Sequence, residues 1–436
     1  MPSTTASAAH SLSRKDYRTL ALAALGGALE FYDFVVFVFF AKALGGVFFP
    51  PQMSEWLRQL QTFGIFSAGY LARPLGGIVI AHFGDLLGRK RMFTLSILLM
   101  AVPTLFMGLL PTYEAAGAAA PILLLTLRIL QGAAIGGEVP GAWVFVSEHV
   151  PERHTGFAVG TLTAGLTAGI LLGSLVATSI NTAFAPAEVV RFGWRIPFLL
   201  GGGFGLFAVY LRRFLEETPV FKQMHETRAL SQELPLKTIV RKHFPAVLLA
   251  MALTWVLSAA IVVVILFTPT YLQNVFKVAP RITLQANSVA IVCLTGGCVF
   301  FGWLADRVGS KWALSTGSLA LLATSWYFYH ALPLEGPALF TAYAVTGLFV
   351  GSIGVVPFIL VRAFPAKIRF SGLSFSYNVA YAIFGGLTPV VLTIWQKSDQ
   401  LAPAYYVAAL ALLGCLLAFV QVPKHPQELG EHHSAA

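Results

Sequence analysis

Charge is scarce in this chain: Asp, Glu, Lys and Arg make up 11% of 436 residues, against a hydrophobic share of 57% and a mean hydropathy of +0.75. That balance excludes an ordinary soluble domain, in which charged residues reach about a quarter. Cysteine is equally sparse. Cys293, Cys298 and Cys415 all stand in apolar runs without metal-ligand spacing, so neither a disulfide framework nor a thiolate metal site is expected. The joints between apolar runs hold no pairing of nucleophile and base, and the "GGG" at Gly201–Gly203 has no following Lys that would make a phosphate loop. An enzyme and ATP-driven chemistry are both disfavoured. The N-terminal "MPSTTASAAHSLSRKDYR" is polar and leads into a span too long for a cleavable leader, so no signal peptide is expected.

Apolar runs are what the chain has in quantity. Twelve occur, at 17–41, 59–84, 90–111, 119–146, 156–181, 194–213, 244–270, 283–305, 312–331, 336–362, 370–395 and 402–423. A helix of ~20 residues crosses a hydrocarbon core of ~30 Å. Backbone polar groups cannot stay unpaired in lipid, so these runs predict an all-α membrane protein of twelve transmembrane helices. The formal net charge of +10 would suit nucleic acid, but its distribution excludes that partner. Twenty basic residues fall on the side of the termini and seven on the other, with Arg73 and Arg128 inside the spans. The positive-inside rule then places both terminal tails, 1–16 and 424–436, in the cytoplasm, below a cell's inner membrane.

The chain also repeats itself. "AHFGDLLGRKR" (Ala81 to Arg91) and "GWLADRVGSKW" (Gly302 to Trp312) both carry an Asp, a Gly three residues later and then basic residues, with Asp85 and Asp306 separated by 221 positions. Two six-helix halves, 17–213 and 244–423, joined by the polar linker 214–243, explain this spacing. Duplicated halves place a binding site at their interface near the bilayer midplane.

Ionisable residues inside a membrane are costly and usually mark a pathway. Arg73 sits near mid-membrane in "YLARPLGG" with no acid within a turn on its own helix. A planar fork suits a carboxylate, so Arg73 is the expected main ligand of an organic anion. The alternative is a permanent pair with Glu30 or Glu138. Asp33 and Arg128 lie at matching depths, ~10 Å below the outer surface at 1.5 Å per residue, and can meet. Glu30 is one turn from Asp33 on the same face, and two such carboxylates resist double ionisation. Glu30, Asp33 and Glu138 are therefore the proton-coupling candidates, with a structural role open for each. Tyr377, Asn378 and Tyr381 on the eleventh span offer donors to a substrate or glue between helices, and Tyr32, Tyr70 and Gln131 are weaker additions. The aromatic run from Phe34 to Phe40 reads as packing.

The loop "GDLLGRKR" resembles the signature of the major facilitator superfamily. The ordered set "GGALEFYDF", "LARPLGG", "RILQGAAIGGE", "GWRIPF" and "LEETPVF" is similar to the metabolite:proton symporter family, which includes citrate, 2-oxoglutarate, shikimate and proline/betaine permeases. This resemblance spans essentially the whole chain. It implies the major facilitator fold of two pseudo-symmetric halves, alternating access, and protons as coupling ion without a further cofactor. It also implies that Asp33 and Arg128 form a protonation switch, and that Asp85, Arg89, Glu148, Asp306 and Arg307 belong to a cytoplasmic charge network that shuts the inner side. The expected activity is proton-coupled uptake of a small organic anion, foremost a di- or tricarboxylate such as citrate or 2-oxoglutarate. Alternatives are uptake of a zwitterionic osmolyte (proline or betaine) or an aromatic acid, or export by proton antiport. Against export, Gly169 is followed by Ile170 where drug:proton antiporters commonly carry Pro. The expected partners are substrate, protons and the bilayer, with the protein acting as a monomer.

Overall fold

The computed structural model describes residues 14–87, 89–212, 239, 241, 243–365 and 368–420. Within them the apolar runs become helices, because each backbone group in hydrocarbon must pair inside its own segment. Twelve long helices follow one another: α1 (Arg14–Phe39), α2 (Glu55–Leu87), α3 (Arg89–Leu109), α4 (Ala119–Ala134 and Glu138–His149), α5 (Thr155–Ala183), α6 (Ile196–Arg212), α7 (Phe244–Val275), α8 (Pro280–Val308), α9 (Ser310–His330), α10 (Pro337–Leu360), α11 (Arg369–Trp395) and α12 (Ala402–Leu417). By length and composition alone six of them qualify as membrane spans, or seven when α1 is taken with Ala41–Phe48, to which it is joined at a 60° bend. Among the others, α6 and α12 have 17 and 16 residues, and α2 carries Arg73 and Pro74 in mid-length. The chain reverses at each joint, so α1 begins and α12 ends at the same end of the bundle, the terminal end below.

Four helices are interrupted, and prolines account for all four. Proline has no N–H and clashes with the carbonyl four residues earlier, so the ladder must open there. Pro140 and Pro357 follow the 3-10 turns Ile135–Gly137 of α4 and Gly351–Val355 of α10, and their i−4 positions are Gly136 and Ile353. Pro269 and Pro389 follow π-helical turns at Ile261–Phe267 in α7 and Tyr381–Gly385 in α11, with i−4 positions Ile265 and Gly385. The two 3-10 turns lie on α4 and α10, the fourth helix of each half. Each packs against the second helix of its own half, the first against α2 and the other against α8. This is the pseudo-symmetry that the repeated loops predict.

The halves meet along two seams, α2 with α11 and α5 with α8. Near the terminal end the α5–α8 seam is a backbone contact: a Cβ on Gly156 or on Gly302 would lie 2.5 Å from the other's carbonyl oxygen, so neither position admits a side chain. The "GWRIPF" stretch explains itself locally. Trp194 is fully buried, and Arg195 donates to the carbonyls of Gly108 and Leu110 (both 2.8 Å) at the C-terminal end of α3, where a cation also suits the helix dipole.

Candidate functional site between the halves

Arg73 lies on α2 at the interface and is 2% exposed. Its guanidinium carbon sits over four rings: Tyr381 at 4.8 Å, Tyr70 at 5.5 Å, Tyr377 at 5.8 Å and Phe34 at 6.0 Å. Its Nε and Nη2 have no hydrogen-bond partner, and no ion pair reaches it among the described residues. The rings brace one another. Tyr70 of the first half stacks on Tyr381 of the second (5.3 Å, 18°), Tyr377 lies 5.1 Å from Tyr381, and Trp143 of α4 meets Tyr377 edge-on at 5.1 Å. Arg73, Tyr70, Tyr377 and Tyr381 are thus brought together, as an aromatic box around one cation. The sequence reading left out Trp143 and Phe34. The signal for Trp143 was an indole closing the small-residue and proline stretch "GGEVPGAW", three residues after Pro140, and that for Phe34 was its place beside Asp33.

Asn378 does something different. Its Nδ2 donates to the carbonyl of Gly136, which is the carbonyl freed by Pro140, and to that of Ser374 at 2.9 Å. It therefore ties α11 to the broken middle of α4. Tyr32 is set apart from the box: its hydroxyl donates to the Pro197 carbonyl at 2.9 Å and its ring meets Phe204 edge-on at 5.3 Å, both on α6.

The expected meeting of Asp33 with Arg128 does not occur. Both are fully buried, yet neither carboxylate oxygen of Asp33 has a hydrogen-bond partner. The carboxyl faces α6, where a Cβ on Gly201 would come within 2.5 Å of Oδ1 and one on Gly205 within 3.5 Å of Oδ2. Arg128 instead donates through Nη2 to the carbonyl of Phe34 (3.0 Å) and through Nη1 to Oε1 of Gln131, with the rings of Phe34, Phe37 and Phe66 at 3.9, 4.8 and 5.1 Å. The physical reason is helical rotation: one residue along α1 turns the side chain by ~100°, so Phe34 and the backbone face α4 while Asp33 faces α6. The aromatic run that read as packing therefore houses the second arginine. Gln131 also donates through Nε2 to the Asp33 carbonyl (3.1 Å) and to Thr104 Oγ1 (2.7 Å), which places it inside the α1–α3–α4 core. The side chains of Glu30 and Glu138 lie outside the described residues.

Both ends of the interface are bridged. At the terminal end the Asp306 carboxylate accepts the backbone N–H of Gly156 (2.8 Å) and of Phe157 (2.7 Å), capping the first turn of α5 from the opposite half. Arg307 points elsewhere. It is exposed, with its guanidinium 5.5 Å over the ring of Trp303, itself 43% exposed, so it is part of the outer face of α8 and not of this bridge. A cross-half ion pair that the sequence did not suggest, Arg362 with Glu152 at 3.5 Å, lies nearby. The side chains of Asp85, Arg89 and Glu148 are outside the described residues. At the far end the hydrogen-bonded bridges are neutral: Asn274 donates to Gln59 at 2.6 Å, Trp56 to the Thr393 carbonyl at 3.0 Å, and Ser174 and Ser288 share a bond of 2.8 Å, while the Lys397 ammonium lies 4.3 Å over the Trp56 ring.

The Major Facilitator Superfamily profile matches residues 20–389. A putative proline/betaine transporter of Staphylococcus aureus (strain COL) is 34% identical over 417 residues, covering 93% of this chain and 88% of the relative. The glycine betaine/proline/ectoine/pipecolic acid transporter OusA of Dickeya dadantii (strain 3937) is 33% identical over 415 residues, covering 92% and 82%. Among solved structures, the proton:xylose symporter XylE bound to 6-bromo-6-deoxy-D-glucose superposes with a TM-score of 0.75 at 17% identity, covering 92% of this chain and 94% of that one. At that identity the likeness speaks for the fold. The relatives and fold neighbours are transporters and not enzymes, and the multi-pass helical architecture is theirs as well. This chain belongs to the major facilitator superfamily.

Proposed function

We propose that the protein is a proton-coupled symporter for a small zwitterion of the proline or betaine kind, with both termini on the cytoplasmic face. This was the alternative in the sequence reading, and it now has more support than a di- or tricarboxylate. The observation that carries it is the aromatic box with a single open guanidinium fork. Arg73 has Nε and Nη2 free for one carboxylate, whereas both terminal nitrogens of Arg128 are already engaged. Arg128 keeps only its Nε unbonded, so a second carboxylate would meet no second open fork in this site. Tyrosine faces attract an alkylated ammonium, and Tyr70, Tyr377 and Tyr381 now hold Arg73's own charge. A zwitterion satisfies both halves of this site at once: its carboxylate draws the guanidinium onto the fork, and its ammonium takes the vacated ring faces. The printed activities of the relatives point to the same substrate class. Asp33, buried and without a partner beside α6, is the proposed proton carrier.

The test uses the purified protein in proteoliposomes, with glycine betaine set against 3,3-dimethylbutanoate, which has the same shape and carboxylate but no positive charge. Cation–π attraction in a desolvated box, at ~1–2 kcal/mol, predicts about tenfold stronger competition by the betaine. Equal competition by the two, or stronger competition by citrate or 2-oxoglutarate, would return the reading to an organic anion.

A further inference from the structure

Gln131 is an unusual neighbour for a proton-coupling pair. It is fully buried and uses its whole amide: Oε1 accepts from Arg128, and Nε2 donates to both the Asp33 carbonyl and Thr104. Arg128 is thereby bonded next to Asp33 on both sides, at the Phe34 carbonyl and at an amide that itself holds Asp33's backbone, without touching the Asp33 carboxyl. The acceptor that a carboxylate would present to the arginine is supplied by a neutral amide.

We infer that Gln131 is a positioning residue for proton coupling, whose side-chain oxygen stands in for the Asp33 carboxylate at Arg128 and keeps acid and arginine apart while both ends of the transporter are bridged. The inference rests on the proton-symport reading above. Among the described residues the charged and titratable groups around Asp33 are few. Arg128 approaches from α4 and Tyr32 stands beside it on α1; α3 and α6 present Thr104, Gly201 and Gly205, and the packed segments of α5 and α7 are uncharged. The side chains of Glu30, one turn away on α1, and of Glu138 on α4 lie outside the described residues. Among the described residues Arg128, bonded to the Phe34 carbonyl and to Gln131, is the cation placed to exchange one acceptor for the other.

Two near-isosteric replacements then act in opposite directions. Gln131→Leu removes the stand-in, so Arg128 turns to Asp33 and holds it charged. The pH of half-maximal uptake is expected to fall by about one unit. Gln131→Glu gives Arg128 a permanent partner and puts a negative charge beside Asp33, so the midpoint is expected to rise. Uptake of radiolabelled proline or glycine betaine, whichever the vesicles accumulate, is measured across pH with equal counterflow exchange as the reference for intact folding and binding. Opposite movements of the midpoint support the inference, since a merely structural role predicts loss of uptake and counterflow together. An unmoved midpoint, or movement in one direction in both variants, overturns it. If neither variant yields folded protein, Thr104→Val takes over the test: it cuts one Nε2 bond, leaves Arg128 alone, and must move the midpoint to lower pH. A wild type with pH-independent uptake would sink the symport reading and this inference together, whereas pH-dependent wild type with unmoved variants removes the inference alone.

Discussion

Arg73 and Arg128 carry the same charge into the same half of the bundle and are both surrounded by rings, yet their donors are used differently. Arg128 has both terminal nitrogens bonded, while Arg73 keeps two donors open at 2% exposure. An unsatisfied buried donor costs ~1–3 kcal/mol, and more when charged, so Arg73 is stabilised by any ligand that fills its fork. Arg73→Lys keeps the charge and loses the fork. Isothermal titration is expected to show glycine betaine affinity falling tenfold or more, because an ammonium is a point charge that cannot pair both carboxylate oxygens in the fixed fork geometry. Tyr381→Leu removes the closest ring face, at 4.8 Å, and should weaken the betaine by about tenfold while leaving 3,3-dimethylbutanoate nearly unchanged in the same titration. Asp33→Asn should abolish pH-driven accumulation in proteoliposomes, and accumulation at the wild-type level would remove Asp33 from the coupling role.

Each of the four interrupted helices breaks just before a proline, while Pro74 and Pro103 sit in continuous helices, and the breaks decide where backbone acceptors appear inside the membrane. Pro140 frees the Gly136 carbonyl, and Asn378 from the other half donates to it. Pro140→Ala lets α4 close its own ladder, in competition with Asn378. A proline in a helix interior costs ~3 kcal/mol, so a higher melting temperature is expected together with slower counterflow; faster or unchanged counterflow would show that the break has no part in movement. Asp306 works on α5 in a similar cross-half way, by accepting two backbone N–H groups that the helix itself cannot satisfy. Asp306→Ala loses an N-cap worth ~0.5–2 kcal/mol in the bridged arrangement alone, and spin-label distances across the terminal end should lengthen on average. The neighbouring Arg362–Glu152 pair has side chains 40% and 71% exposed, and at ~0–1 kcal/mol it should matter far less.

For the whole transporter, bridges at both ends of the interface describe a closed arrangement, with Arg73 and its rings shut in between. Alternating access requires one set of bridges to open while the other holds, which is a two-state equilibrium that a few kcal/mol can tip. Gly302→Val puts a side chain where the Gly156 carbonyl oxygen would be 2.5 Å from a Cβ, so the α5–α8 seam cannot close. The variant should expose engineered cysteines at the terminal end to thiol reagents at all times and stop uptake. Labelling equal to the wild type would place the seam outside the moving part of the molecule.

Membrane residence, helical class, duplicated halves and the superfamily were all legible in the chain, because they depend on composition, the length of apolar runs and repeated loop text, which are local properties. The identity of Arg73, Tyr70, Tyr377 and Tyr381 as interface residues was legible for the same reason: polar side chains in apolar runs are few and must face inward. What only the assembled helices decided is who meets whom. Asp33 and Arg128 share a depth but face different neighbours, because depth follows from counting residues while facing depends on the rotation and packing of each helix. Arg307 likewise follows Asp306 in the last turn of α8 and stands over Trp303 on the outer face. Glutamine in place of carboxylate at Arg128, and rings in place of acids around Arg73, are tertiary choices, made where distant segments compete for the same buried donors.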